Sequence, residues 1–269
     1  MRVRHGYGAA AVFVFCSFLL LGVLSGCGST GVTTREGYKL VKDGTLTVGT
    51  SAEYEPFEYM EDGGYLGFDV DLAHAIADKL GLKVKFENVD FDTITPGVAS
   101  GVKYDIGIAA ITVTPKREKE VDFTDPYYMD DQAIVVTGDN GEISRDNALD
   151  VLNGSEVKIA VQSGSTAESF AKENFPKSQL VPFKNATDCF AALQSSQATA
   201  LVTNRSVAAR MISGPFSNER VVKEVSTGEE YSIAVGKNNQ KLKEAINRAL
   251  SELMADGTVD SLMRKYGIQ

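Results

Sequence analysis

Val157-Lys158-Ile159-Ala160-Val161-Gln162-Ser163-Gly164-Ser165-Thr166 decides the architecture, because it restarts midway along the chain a pattern already completed once. Residues 157–161 form an apolar run of strand length, a small-residue loop follows, and residues 166–174 read as a helix. Strand, loop and helix in that order are the unit from which parallel α/β layers are built.

The earlier unit lies upstream. Residues 45–49 read as its first strand, and residues 69–80 as a helix with Ala73, Ile76, Ala77 and Leu80 on one face and Gly81 at its end. Residues 83–88 alternate as a strand, 93–100 suit a helical turn or two, and 105–109 and 132–137 are further strands. Downstream come a helix over 188–195, a strand over 199–202, a helix over 206–212 and a strand over 232–235. The chain closes on an amphipathic helix carrying Leu242, Ile246, Leu250 and Leu253, then a short one through Val259, Leu262 and Met263. Two such units predict an α/β protein of two lobes, residues 45–127 plus 232–269 and residues 131–228. The two crossings, near 127–131 and 229–232, would act as a hinge that closes on a ligand. Ligands in open α/β sheets bind at the carboxyl ends of strands, so site residues are expected after Gly49, Ala109, Val161 and Val202.

The N-terminal end has a different logic. Residues 1–26 carry Arg2 and Arg4, then an apolar run over 9–24 that falls short of the roughly 20 residues a spanning helix needs. Basic start, apolar middle and small-residue end describe a secretory signal peptide. Leu24-Ser25-Gly26-Cys27 resembles the lipobox of bacterial lipoproteins, which implies a diacylglycerol on Cys27 and anchoring outside the cell membrane. Residues 27–44 then read as the lipidated cysteine and a flexible tether, rich in Gly, Ser and Thr at its start. Of the three cysteines, Cys16 leaves with the signal and Cys27 takes lipid, so Cys189 stands alone as a small buried hydrophobe. The formal net charge is −9, and losing Arg2 and Arg4 with the signal takes it to −11, which argues against nucleic-acid partners.

The segments Thr47-Val48-Gly49-Thr50, Tyr54-Glu55-Pro56-Phe57-Glu58, Gly67-Phe68-Asp69-Val70-Asp71, Tyr104-Asp105-Ile106-Gly107, Thr112-Val113-Thr114-Pro115-Lys116-Arg117 and Asp122-Phe123-Thr124-Asp125-Pro126-Tyr127 follow one another in a specific order and spacing. In that order they resemble the polar amino-acid solute-binding proteins of ABC importers, family 3. The resemblance implies a periplasmic-binding-protein-like fold that captures an amino acid and delivers it, as a monomer, to the membrane subunits of an importer. It implies no cofactor, no metal and no catalytic residue.

Thr114 and Pro115 suit the N-cap and first position of a helix, which puts Arg117 in the first turn. A guanidinium there matches a carboxylate with two prongs, and the resemblance gives Arg117 the ligand's α-carboxylate. By the same resemblance Tyr54 and Phe91 are aromatic walls, and Ala110 and Thr112 meet the ammonium and carboxylate. Gln162 and Thr166 belong to the second-lobe loop whose N–H groups face the ligand.

The chain departs from the family's pattern at three places. Asn204 stands where an aspartate usually pairs with the α-ammonium, Ser51 stands where the first loop often has an acid, and Val102 is extra in a surface turn. Glu53 is one candidate for the missing counter-charge, and an unusual ligand is the other explanation. An aspartate at position 204 would then hold or improve affinity for an ammonium-bearing ligand. Two other functions share the scaffold. One is an enzyme resembling the exported cyclohexadienyl dehydratases, with Arg117 holding the substrate and Glu53 as general acid. Incubation with prephenate or arogenate separates it from a binder, which leaves both unchanged. The other is a membrane kinase's sensor domain, which the short stretch after the last helix disfavours.

Overall fold

The computed structural model describes Met1 and residues 31–268, so the expected signal peptide and Cys27 lie outside the described residues. Two five-stranded sheets organise the rest. The first runs in the order Lys83–Asn88, Thr45–Thr50, Ile106–Gly107, Ala234–Val235, Asp122–Phe123. The second runs Gln179–Phe183, Lys158–Gln162, Ala200–Asn204, Tyr128–Thr137, Glu219–Tyr231. Thr45–Thr50 is parallel to both neighbours and buried at every residue, as a strand covered on both faces must be. Lys158–Gln162 plays the same part in the second sheet, parallel to both of its neighbours. Each sheet, with the helices packed on it, makes one α/β lobe.

Helix Phe68–Lys79 turns Phe68, Leu72, Ala73, Ile76 and Ala77 into the core, where they meet Leu242, Ile246 and Leu250 of the long helix Gln240–Ala255. Only glycine can precede this helix. Gly67 has φ 123°, and a Cβ there would lie 2.1 Å from the carbonyl oxygen of Phe57. The first helical N–H groups are instead donated to Pro56 and Phe57, which ties the helix start to the hairpin strands Glu53–Tyr54, Glu58–Glu61 and Gly64–Leu66.

The chain passes between the sheets twice, before Tyr128–Thr137 and after Glu219–Tyr231. These two strands pair antiparallel, with Tyr128 opposite Tyr231 and Asp130 opposite Glu229. The register then jumps to Gln132 opposite Val225, leaving Asp131 against residues 226–228. Asp131 Oδ1 accepts the Thr227 and Gly228 N–H groups at 2.8 and 3.0 Å, so the bulge is a satisfied structure.

Three local readings are corrected. Residues expected to form a tether up to 44 are partly structured: Val32–Thr33 pairs with Lys39–Leu40, and Tyr38 and Leu40 are buried. Thr114-Pro115 starts a single 3₁₀ turn, Arg117–Lys119, and not an α-helix, because the chain must enter the strand Asp122–Phe123 directly afterwards. Strand Glu219–Tyr231 escaped notice because its charged residues and Gly228 break the apolar alternation that marks a strand. Val102 lies exposed in a turn, as expected.

Candidate functional site

Arg117 is buried between the two sheets. Its Nη1 donates to the Thr112 carbonyl at 2.7 Å and its Nη2 to the Gly164 carbonyl at 3.1 Å, so one side chain touches both lobes. The Phe91 ring lies against it, with the guanidinium carbon 5.1 Å from the ring centroid. Thr114 Oγ accepts the Arg117 N–H at 3.2 Å and fixes the turn, the capping role expected of that threonine. Burial pulls the Arg117 guanidinium down to about 10, with the field of Glu229 acting in the opposite sense. Gly164 has φ 74°, and a Cβ there would meet the Cβ of Asp92 at 2.8 Å, so only glycine brings this carbonyl to Arg117.

Ala110 carries an unusual backbone. Its φ of 47° is rare outside glycine, and it persists because Asp69 Oδ2 accepts its N–H at 2.7 Å. The same oxygen accepts the Tyr127 hydroxyl at 2.9 Å. Burial pushes the Asp69 carboxyl up to about 7. Thr112, two residues on, forms an isolated bridge with Tyr231 and points its hydroxyl at Glu229.

From the other side, Tyr54 donates to Asn204 Oδ1 at 2.7 Å across the interface between the sheets. Thr203 Oγ lies 3.4 Å from the same hydroxyl. Ser165 caps the helix Thr166–Asn174, its Oγ accepting the Glu168 N–H at 3.0 Å. Gln162 Nε2 donates to the Lys184 carbonyl at 3.3 Å. Open space beside Arg117 amounts to about 510 Å³, walled by Phe91, Thr114, Gly164 and Thr166. Between Tyr54, Gln162 and Thr203 it is only about 10 Å³.

The structure thus brings Tyr54, Phe91, Thr112, Arg117, Gln162, Thr166 and Asn204 to the cleft between the sheets, with Ala110 beneath. Glu53 stands apart. Its side chain has no hydrogen bond to these groups; burial, with the charges of Asp188 and Asp90, raises its carboxyl above the usual range.

The residue that sequence reasoning missed is Glu229. It is buried, and its Oε2 accepts from Thr112 Oγ at 2.6 Å, Thr166 Oγ at 2.7 Å and Asn204 Nδ2 at 3.2 Å. Its Oε1 accepts from Gln132 Nε2 at 2.5 Å and Thr227 Oγ at 3.4 Å. No local signal marked it: Glu229 shares the face of the buried Tyr231 while Glu230 points out to solvent, an alternation visible only once the strand Glu219–Tyr231 is in place.

The sequence profile of the bacterial extracellular solute-binding proteins, family 3, matches residues 46–269. A probable histidine-binding protein of Campylobacter jejuni is 32% identical over 226 residues, covering 84% of this chain and 86% of that one. The arginine-binding extracellular protein ArtP of Bacillus subtilis is 31% identical over 249 residues, 90% of this chain and 92% of that one. Among solved structures, an ancestral arginine-binding protein bound to glutamine is 43% identical with a TM-score of 0.77, over 84% of this chain and 98% of that one. The ancestral amino acid-binding protein AncCDT-1, a precursor of cyclohexadienyl dehydratase, is 40% identical with a TM-score of 0.77, over 83% and 95% of the two chains.

Proposed function

This chain belongs to the bacterial extracellular solute-binding proteins of family 3, and from that membership we propose that it captures an amino acid between its lobes and delivers it to an ABC importer. The observation that carries the reading is Arg117. A buried guanidinium facing open space, bonded among the described residues to carbonyls and to no carboxylate, is a ready partner for a ligand's α-carboxylate. Tyr54, Phe91, Ala110, Thr112, Gln162, Thr166 and Asn204 would complete the contact surface, and Glu53 would lie at its edge. The strands Tyr128–Thr137 and Glu219–Tyr231 are then the hinge, their crossings near 127–131 and 229–232 letting the lobes open and close on the ligand.

Closure on a ligand should stabilise the fold. At a hundredfold excess over the dissociation constant the gain is about 2.7 kcal/mol. For a chain of this size that raises the melting temperature by about 5 to 10 °C. Thermal melts against the common amino acids, followed by calorimetric titration of the hits, measure this directly. No shift beyond a degree with any amino acid would refute capture.

The same reading has the protein perform no chemistry. Its relatives carry the names of binding proteins, and the structural neighbour tied to the dehydratase is itself described as amino acid-binding. Prephenate incubated with the protein should therefore remain intact, and its conversion would favour the enzyme. The lipobox-like Leu24-Ser25-Gly26-Cys27 supports export and anchoring through Cys27 outside the cell membrane. Fatty-acid labelling of the native protein, lost in Cys27→Ala, checks that anchor.

A further inference from the structure

Two opposite charges are buried in the cleft without being paired to each other. None of the ion pairs among the described residues includes Arg117 or Glu229. Arg117 bonds two backbone carbonyls, and Glu229 receives five hydrogen bonds, every one from a neutral donor. An uncompensated buried charge is costly, and hydrogen bonds to neutral dipoles relieve only part of that cost. Yet the two charges are neighbours. Thr112 gives its carbonyl to Arg117 and its hydroxyl to Glu229. The loop at Gly164 to Thr166 likewise gives the Gly164 carbonyl to Arg117 and the Thr166 hydroxyl to Glu229. A cation and an anion that share Thr112 and the Gly164–Thr166 loop as hydrogen-bond partners form the electrostatic complement of a zwitterion.

We propose that Glu229, carried by the return strand between the lobes, supplies the counter-charge for the ligand's α-ammonium while Arg117 holds its α-carboxylate. The inference rests on the amino-acid-capture reading and deepens it, because it makes a free α-amino group part of the ligand requirement. It also explains Asn204. The Asn204 amide receives Tyr54 on its oxygen and donates its nitrogen to Glu229, so an amide at that position lets a carboxylate approach to 3.2 Å. An aspartate there would set two carboxylates face to face. The expectation that an acid at 204 strengthens binding therefore reverses as long as Glu229 is present. Glu53 is not needed for the charge, and an unusual ligand is not needed either.

Glu229→Gln keeps the shape and removes the charge. The fold should tolerate it, since Gln132 has a buried carbonyl oxygen without a partner and can turn its amide to accept from the new one. The probes are L-arginine, L-glutamine and L-histidine, titrated calorimetrically against the native protein and against Glu229→Gln, Asn204→Asp and the double variant. The best-bound probe should lose at least about thirtyfold in Glu229→Gln, the lower range for stripping one partner from a buried charge pair. Asn204→Asp alone should lose affinity. Asn204→Asp combined with Glu229→Gln, which moves the negative charge one hydrogen bond away, should recover at least about tenfold over Glu229→Gln, one decade per 1.4 kcal/mol. An affinity within threefold of native in Glu229→Gln overturns the assignment, and so does a loss that the double variant fails to recover, which would mark Glu229 as structural. If Glu229→Gln does not fold, the double variant is compared with native directly, and binding more than a hundredfold weaker than native overturns it. Native protein that binds none of the common amino acids in the melting screen refutes capture itself, a different outcome from one in which native binds and the variants do not respond.

Discussion

Arg117→Ala is expected to weaken binding of the best amino-acid ligand by about 30- to 5000-fold, equivalent to about 2 to 5 kcal/mol. The size follows from burial. Arg117 is 9% exposed, so a carboxylate bound to it is withdrawn from water and pairs in a medium where the interaction is strong. Removing the arginine leaves that carboxylate without a counter-charge inside the closed cleft. Lysine would not restore it fully, because a single ammonium cannot reproduce two parallel donors or lie flat against Phe91. The substitution should also loosen the empty protein. Arg117 Nη2 to the Gly164 carbonyl, at 3.1 Å, is one of the bonds between the lobes, with Tyr54 to Asn204 and Arg210 to Glu55 among the others, so the unliganded variant should be somewhat more open by small-angle scattering. Calorimetric titration gives the affinity. A value within threefold of native would show that Arg117 does not touch the ligand and would remove the observation on which the proposed function rests.

How much of this was legible in the sequence depends on what kind of physics wrote each element. The buried parallel strands were readable because burial on both faces excludes charge from their middles, which leaves Ile159-Ala160-Val161 in one and a charge-free stretch rich in β-branched residues, Thr45 to Thr50, in the other. The helices Phe68–Lys79 and Thr166–Asn174 were readable because one face is apolar at helical spacing. Strand Glu219–Tyr231 was not, since it carries a bulge, a glycine and charges turned to solvent along most of its length. Glu229 was lost with it. Its partners Thr112, Gln132, Thr166 and Asn204 lie between 25 and 117 residues away in sequence, so no local pattern could bring them together. Arg117, by contrast, sits in a motif that fixes its own backbone, and Thr114 caps it three residues earlier. The acid missing at position 204 was visible as an absence. The carboxylate that stands beside it could be found only by folding the chain.

Phe57→Ala is expected to cost about 3 to 5 kcal/mol of stability, because the site has no means of collapsing around the loss. Phe57 is fully buried, and its ring centroid lies 5.3 Å from those of both Tyr128 and Tyr231. It also meets Phe68 edge-on at 6.2 Å and lies 6.5 Å from Tyr54. Tyr128 and Tyr231 face each other across the two strands that join the lobes, and Phe68 begins the first core helix. One ring therefore packs the hairpin, the helix and both crossings together, each held by a different stretch of chain that cannot shift alone. At about 2 to 4 °C per kcal/mol for a chain of this size, the melting temperature should fall by roughly 6 to 20 °C. Phe57→Leu retains most of the volume and should cost less than about 1.5 kcal/mol, which separates the loss of packing from the loss of the ring. Binding should suffer as well, since Tyr54 leans on Phe57 and carries the hydroxyl that reaches Asn204 across the cleft. Titration at low temperature, where the variant remains folded, would read that second effect apart from the first. A fall of less than 3 °C in the alanine variant would mean that the aromatic cluster does not hold the junction, and that the two strands are fixed by their backbone pairing alone.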